Sequence, residues 1–298
     1  MNKFLARLNS GEVLVADGST GANLQKMGLK PGQSPEELVI DSPDTVLKLA
    51  SSFVEAGSDI ILTCTFGGSR IRMKDSKYQD RAPEINTRAA EIARKAAAAR
   101  DGVLVAGSMG PVGALIKPYG PLEAEEVKAT FAEEAKALAA GGVDFLLIET
   151  MFAFEEATAA FEGARSVTDL PIVVSFSYDR GTRSMMGVKP KDVIKKYSEM
   201  GAVMVGANCG TTLENMEIIV KEYVATLPNV PLWVKPNAGV PRMDVQTEQG
   251  VYDMTPEDMA AYARKYVELG AKVVGGCCGS TPGHVAAIAK AVKKQTTQ

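Results

Sequence analysis

The feature that most constrains this chain is a recurrence. Eight short apolar runs rich in β-branched residues are spaced through its length: Val13–Ala16, Asp59–Thr63, Val103–Ala106, Phe145–Ile148, Ile172–Phe176, Val203–Gly206, Leu232–Lys235 and Lys272–Gly275. They are continuously apolar rather than alternating, as strands buried on both faces of a parallel sheet are. Helical segments separate them. Ser42 is placed to cap a helix with Pro43 at its first position and Gly57 as its stop, and Thr255, Pro256 and Gly270 repeat the arrangement. Further helices are predicted over 83–100, 122–140, 154–166, 190–200, 212–226 and 282–294, several of them Ala-rich and amphipathic. Eight βα units in 298 residues have the size and rhythm of a (β/α)8 TIM barrel. An open doubly wound sheet shows the same alternation, and the count of eight favours closure. No Gly/Ser/Pro-rich linker interrupts the pattern, so a single α/β domain over residues 1–298 is expected, with the tail from Lys293 a frayed end.

A net charge of −3 and a pI near 5.5 leave no basic excess to neutralise a phosphate backbone, which argues against a nucleic-acid partner. Met1-Asn2-Lys3-Phe4-Leu5 is followed at once by polar residues, and no stretch has the length and apolarity of a membrane span. The expectation is a soluble, cytoplasmic protein. Four cysteines, two of them adjacent, make no disulfide framework, and a reducing compartment shifts the reading toward metal binding or catalysis.

In a barrel the chemistry sits where strands end and βα loops begin. Those ends read Asp17-Gly18-Ser19-Thr20-Gly21, Thr63-Cys64-Thr65-Phe66-Gly67, Ser108-Met109-Gly110-Pro111, Glu149-Thr150, Ser177-Tyr178-Asp179, Asn208-Cys209-Gly210, Pro236-Asn237-Ala238-Gly239 and Gly275-Gly276-Cys277-Cys278-Gly279. All four cysteines fall among them. Cys209 ends strand six and the Cys277-Cys278 pair ends strand eight, so three thiols share one rim, flanked by glycines that tolerate unusual φ and close approach. Three thiolates favour zinc, and three protein ligands leave one position open, the pattern of catalytic rather than structural zinc. The alternatives are packed thiols or a strained vicinal disulfide. Cys64 lies outside this set and reads as a packed thiol. His284 is the only histidine and reads as a surface residue in the first turn of the last helix. No Gly-x-Gly-x-x-Gly or Walker-type Gly-Lys-Ser/Thr occurs, and Arg70-Ile71-Arg72-Met73-Lys74 reads as a solvated helix face.

Gly206-Ala207-Asn208-Cys209-Gly210, Lys235-Pro236-Asn237-Ala238-Gly239 and Gly275-Gly276-Cys277-Cys278-Gly279-Ser280-Thr281-Pro282 resemble the homocysteine S-methyltransferase family. Asp17-Gly18 with Gly21, Pro35-Glu36-Glu37-Leu38, Ala56–Ile60 leading to Thr65-Phe66-Gly67, Gly110-Pro111 and Glu149-Thr150 follow its pattern in order. The resemblance implies a zinc barrel in which Cys209, Cys277 and Cys278 hold the ion and homocysteine sulfur takes the open position as a thiolate. At the matching positions Asp17 and Glu149 are candidates for the substrate ammonium, and the amides of the Gly18-Ser19-Thr20-Gly21 turn for its carboxylate. Asn237 is a candidate to orient a ligand or to fill the open zinc position when substrate is absent.

Family members differ in methyl donor. Thr65-Phe66-Gly67-Gly68 and Gly107–Pro111 look most like the homocysteine half of cobalamin-dependent methionine synthase, which implies methylcobalamin carried on a separate corrinoid protein or module. The alternatives are S-methylmethionine, a corrinoid-linked reaction on another methylated compound, and a zinc- and thiol-binding regulatory barrel without turnover. Betaine enzymes carry an aromatic residue where this chain has Gly67, which places betaine third. Cys64 stands where the cobalamin-dependent group usually has Asn.

Overall fold

The computed structural model describes residues 2–30, 32–210, 212–244 and 249–293. Its helices are α1 Lys3–Asn9, α2 Gly21–Lys26, α3 Leu38–Asp41, α4 Pro43–Glu55, α5 Ala82–Ala97, α6 Ala124–Ala140, α7 Phe154–Arg165, α8 Pro190–Glu199, α9 Leu213–Thr226, α10 Pro256–Glu268 and α11 Pro282–Lys293. The strands are β1 Leu14–Val15, β2 Ile60–Leu62, β3 Leu104–Met109, β4 Phe145–Met151, β5 Ile172–Phe176, β6 Met204–Cys209, β7 Leu232–Pro236, β8 Arg242–Asp244, β9 Gln249–Val251 and β10 Ala271–Val274. Eight of them form one parallel sheet in the order β1-β10-β7-β6-β5-β4-β3-β2. The seam between β1 and β2 is closed by a parallel bridge from Ala16 to Ile60, with Asp17 N–H donating to Ile60 O at 3.0 Å. The sheet is therefore a (β/α)8 barrel and not an open doubly wound sheet, a distinction that alternation alone could not make.

Two apolar layers hold it. Alternate strand residues point inward, and Leu14, Ile60, Leu104, Phe145, Leu147, Val173, Met204, Trp233 and Val273 fill the barrel, each at most 1% exposed. The other strand faces pack under the amphipathic helices in a second, larger layer. Helix α1 plugs the end where strands begin. Asn2 caps it by accepting from Phe4 and Leu5 N–H, and Phe4 stacks on Phe145 with ring centroids 3.9 Å apart. The apolar residues of this short helix are too few to show a periodic signal in the sequence.

Three local expectations meet the structure differently. Thr255 forms a full capping box with Asp258 at the start of α10, and Gly57 and Gly270 end their helices at φ of 101° and 114°. Ser42 does not cap α4 through its side chain: at φ −151° its hydroxyl turns to Thr45 Oγ1 instead, 2.8 Å away. His284 is not a surface residue; it is only 9% exposed, with Nε2 2.9 Å from Met254 O and Nδ1 2.8 Å from Thr281 Oγ1. It ties α11 to the segment entering α10. The expected frayed tail lies outside the described residues from 294 onward. Among the described residues no helix is long and apolar enough to cross a membrane.

Candidate metal and thiol site

The strand C-termini open into a cavity of about 730 Å³, and at its floor lie Cys209, Cys277 and Cys278. Cys209 is the last residue of β6 and adopts φ 54°, a left-handed conformation rare for a residue with a Cβ, followed by Gly210 at φ 81°. The turn after β10 presents the other two. Cys277 N–H donates to Pro236 O at 2.7 Å, Cys278 N–H to Asn237 Oδ1 at 3.0 Å, and Cys278 O accepts from Ala238 N–H at 2.9 Å. Gly279, at φ 80°, ends the turn; Tyr252 packs so closely that a Cβ there would lie 2.1 Å from its ring. Glycine at this position is a steric requirement.

The three sulfurs lie within 4.8 Å of one another and none is in a disulfide. Cys209 Sγ and Cys278 Sγ are 3.8 Å apart. Two sulfurs on a tetrahedral ion with arms of about 2.3 Å are separated by about 3.8 Å, so the cluster has the spacing of a soft-metal ligand set. Its electrostatics point the same way. Hydrogen bonds from Cys209 and Cys277 hold the Cys278 thiol far below its ordinary value, while Cys209 is pushed up by its hydrogen bonds with Cys277 and Cys278 and by burial. A cation at the centre of the cluster is what would let all three ionise.

Asn208, 0% exposed, sits beneath the sulfurs. Its Oδ1 accepts from Ser175 Oγ at 2.6 Å and from Thr150 N–H at 3.0 Å, and its Nδ2 donates to Thr150 Oγ1 at 2.7 Å. Thr150 has φ 62°, so this carboxamide braces both non-glycine residues found at positive φ among those described. Beside it runs a second buried set. Lys235 Nζ meets Asp17 Oδ1 at 2.7 Å, and Asp17 Oδ2 accepts Leu62 N–H at 2.7 Å. Burial favours a neutral amine at Lys235, but Asp17 and then Glu149 outweigh it and hold the ammonium charged above its ordinary range. Glu149 accepts from Ser108 Oγ at 2.5 Å; burial pushes its carboxyl up to about 7 against the opposing pull of Lys235.

The profile of the family described as homocysteine S-methyltransferase matches residues 14–292. The chain belongs to the homocysteine S-methyltransferase family. Members of this family transfer a methyl group to the sulfur of homocysteine. The chain is 33% identical over 304 residues to an S-methylmethionine–homocysteine S-methyltransferase from Pongo abelii, covering 96% of this chain and 80% of that one. Its fold matches the metallated form of the homocysteine methyltransferase MmuM from Escherichia coli with a TM-score of 0.83 at 23% identity, over 97% of this chain and 99% of that one. A methyltransferase from Methanosarcina mazei superposes with a TM-score of 0.64 at 13% identity, over 99% and 98% of the two chains, a likeness of fold alone.

The family's expected residues are distributed unevenly about the cavity. Gly18, Ser19, Glu149 and the three cysteines line it. Asp17 does not reach it as a free carboxylate, because both oxygens are engaged by Lys235 and Leu62. Asn237 faces the turn, holding Cys278 N–H and donating to Gly210 O at 3.3 Å. Cys64 lines the cavity but stays outside the sulfur cluster; its thiol approaches Pro35 O at 3.5 Å and is pushed up by burial and then by Glu36. Arg72, taken from sequence as part of a solvated face, lies exposed on the cavity wall.

Sequence reasoning missed Lys235 and Tyr252. A lysine closing an otherwise apolar strand was the available signal for the first, because a buried ammonium demands a buried carboxylate. Nothing marked the second. Tyr252 directly follows the short strand β9, whose pairing with β8 carries no alternating apolar pattern, and its ring packs against Gly279 on the cavity wall beside Cys278.

Proposed function

We propose that this protein is a zinc-dependent S-methylmethionine:homocysteine S-methyltransferase, converting the two substrates into two molecules of methionine. The observation that carries the reading is the sulfur triad at the floor of the cavity, with its 3.8 Å separation between Cys209 and Cys278. Cys209, Cys277 and Cys278 would hold zinc, which supplies a site where a thiol is kept as thiolate at neutral pH. The remaining work falls to the chain's own groups. Glu149, balanced near neutrality, loses its proton as the substrate ammonium arrives and then pairs with it. Gly18, Ser19, Thr20 and Gly21 line the same wall; the Ser19 N–H already donates to Ser280 O at 3.2 Å, so the backbone amides of the other three would serve the carboxylate. Lys235 neutralises Asp17 and keeps Glu149 from being wholly protonated. With the amino-acid end held, the substrate sulfur and the donor's methyl meet in line, where orientation supplies most of the rate.

Two observations support S-methylmethionine as donor. The Pongo abelii relative is named for it. Betaine enzymes carry an aromatic residue at the position of Gly67, and here even a Cβ would lie 3.2 Å from Glu36 Oε1 and 3.4 Å from Arg72 Cγ. An aromatic ring there would require both side chains to move. Methylcobalamin from a corrinoid protein, which the Thr65–Gly68 segment favours by resemblance, is the second reading.

The test is a donor panel on zinc-loaded protein with homocysteine. Methionine is expected from S-methylmethionine and little from betaine. Methionine from methylcobalamin alone would replace the donor assignment, and methionine from none of the three would remove the reading.

A further inference from the structure

Two dipeptides near strand ends share an unusual backbone. In Glu149-Thr150 on β4 and in Asn208-Cys209 on β6 the second residue lies at positive φ, 62° for Thr150 and 54° for Cys209. The first pair carries the carboxyl assigned above to the substrate ammonium, and the second carries a sulfur of the triad. A residue with a Cβ keeps such a conformation only where its surroundings over-determine it. At Thr150 the β4–β5 register shifts between Ile148 and Met151, and the Thr150 N–H turns to Asn208 Oδ1 at 3.0 Å. A shift of this kind re-aims the side chains beside it, here that of Glu149.

The carboxamide that receives this N–H comes from β6, with β5 lying between. From β5, Ser175 Oγ donates to the same oxygen at 2.6 Å, and Asn208 Nδ2 donates to Thr150 Oγ1 at 2.7 Å. The amide cannot be reversed, because its nitrogen would then set donor against donor at the Thr150 N–H. Its second N–H is left facing Cys209 Sγ at 3.6 Å and Cys277 Sγ at 3.8 Å. One buried group thus joins the turn that aims Glu149 to two of the three sulfurs. The geometry points to Asn208 as a positioning residue: we propose that its carboxamide couples the metal half of the site to the ammonium half, so that Ser175 and Thr150 act on the zinc affinity of the triad through Asn208. Hydrogen bonds behind a ligand set hold its direction, and a planar amide fixed at its oxygen and at one N–H has its other N–H fixed as well. The same contacts, read the other way, hold the Glu149-Thr150 turn in place.

The inference rests on the metal-thiolate reading above but not on the identity of the donor. Two quantities test it: zinc affinity of the folded protein, by competition with a chromophoric chelator, and KM for homocysteine at saturating zinc. Ser175 does not line the cavity, so Ser175→Ala reports on Asn208 without altering the wall. It is expected to weaken zinc binding roughly tenfold, the scale of losing an outer hydrogen-bond partner of a metal ligand, and to raise KM for homocysteine with little change in kcat. Thr150→Val should move both quantities the same way. Ser177→Ala, which removes an equally buried hydroxyl from the same side of the barrel but one bonded to Asp179, should move neither. In an Asn208→Ala background Ser175→Ala should weaken zinc no further. Unchanged zinc affinity in Ser175→Ala overturns the proposal, as does an equal loss in Ser177→Ala, an additive loss in the double variant, or a fall in zinc affinity that leaves KM for homocysteine untouched. Should Asn208→Ala fail to fold, the contrast between Ser175→Ala and Ser177→Ala decides alone. Wild-type protein that binds no zinc defeats the functional reading, and this inference falls with it.

Discussion

The two ends of the barrel interior are built from the same strands and both bury their side chains, yet they obey different rules. On β4 the inward positions run Phe145, Leu147, Glu149; on β3, Leu104, Ala106, Ser108; on β7, Trp233, Lys235. Each strand is apolar where it begins and polar where it ends. The boundary is visible on β7, where the Lys235 ammonium lies 5.8 Å from the Trp233 ring centroid. At the beginning, volume is enough: Phe4, Phe145 and Trp233 fill the space with stacked and edge-on rings. At the end every charged group needs a named partner, because a buried charge without one costs several kcal/mol. The apolar end carries stability with little demand for precision; the polar end carries chemistry and depends on each pairing.

The comparison can be broken in several ways. The largest effect is expected at the polar end: Cys209→Ser should lose zinc and at least ~1000-fold of methyl transfer with little change in secondary structure, checked by metal analysis, turnover and circular dichroism. Retained zinc and activity would separate the triad from the function. At the opposite end Phe145→Ala should cost about 3–5 kcal/mol in denaturant unfolding while the folded fraction keeps its zinc and its KM for homocysteine. A loss of zinc there would mean that the two ends are not independent.

Lys235→Met leaves Asp17 buried and unpaired, for a cost of about 3–5 kcal/mol, and pairing it with Asp17→Asn should recover much of the loss. Additive losses in the double variant would show that the ion pair is not the source. The smallest effect concerns Glu156 on α7. Its Oε1 accepts Val112 N–H at 2.7 Å, but its Oε2 has no hydrogen-bond partner among the described residues, and burial pushes its carboxyl up to about 7 from 4.5. A raised carboxyl favours the folded state while protonated, so this contribution is full at pH values below the unfolded value and is lost as pH rises through about 7. Glu156→Gln should therefore gain on the wild type across that window by up to about 3 kcal/mol and stay level above it, measured as unfolding free energy against pH. Equal pH profiles would remove the burial cost inferred for this residue.

Much of this was legible in the chain. The eight parallel strands begin within a residue of the apolar runs, though β3, β4 and β6 continue three residues past them, because a strand covered on both faces has no alternative to continuous hydrophobicity. The cysteines were legible for a similar reason: function in a barrel collects at strand ends, and Cys209 and Cys277-Cys278 sit at two of them. The β8–β9 hairpin and helix α1 were not, being too short for any period to show. Asp17 illustrates a subtler limit. Its place at the end of β1 was readable, whereas its commitment to Lys235, 218 positions away, was not.

The sequence by itself determined the order of strands and helices and the residues at each strand end, since both follow from local hydrophobic pattern and turn chemistry. Only the tertiary structure decided that the sheet closes from Ala16 to Ile60, that three sulfurs lie within 4.8 Å, and that Asn208 reaches two of them. Those are distances between side chains remote in the chain. They are set by strand register and by the turning of Cys209 and Thr150 into left-handed backbone, which no local pattern encodes.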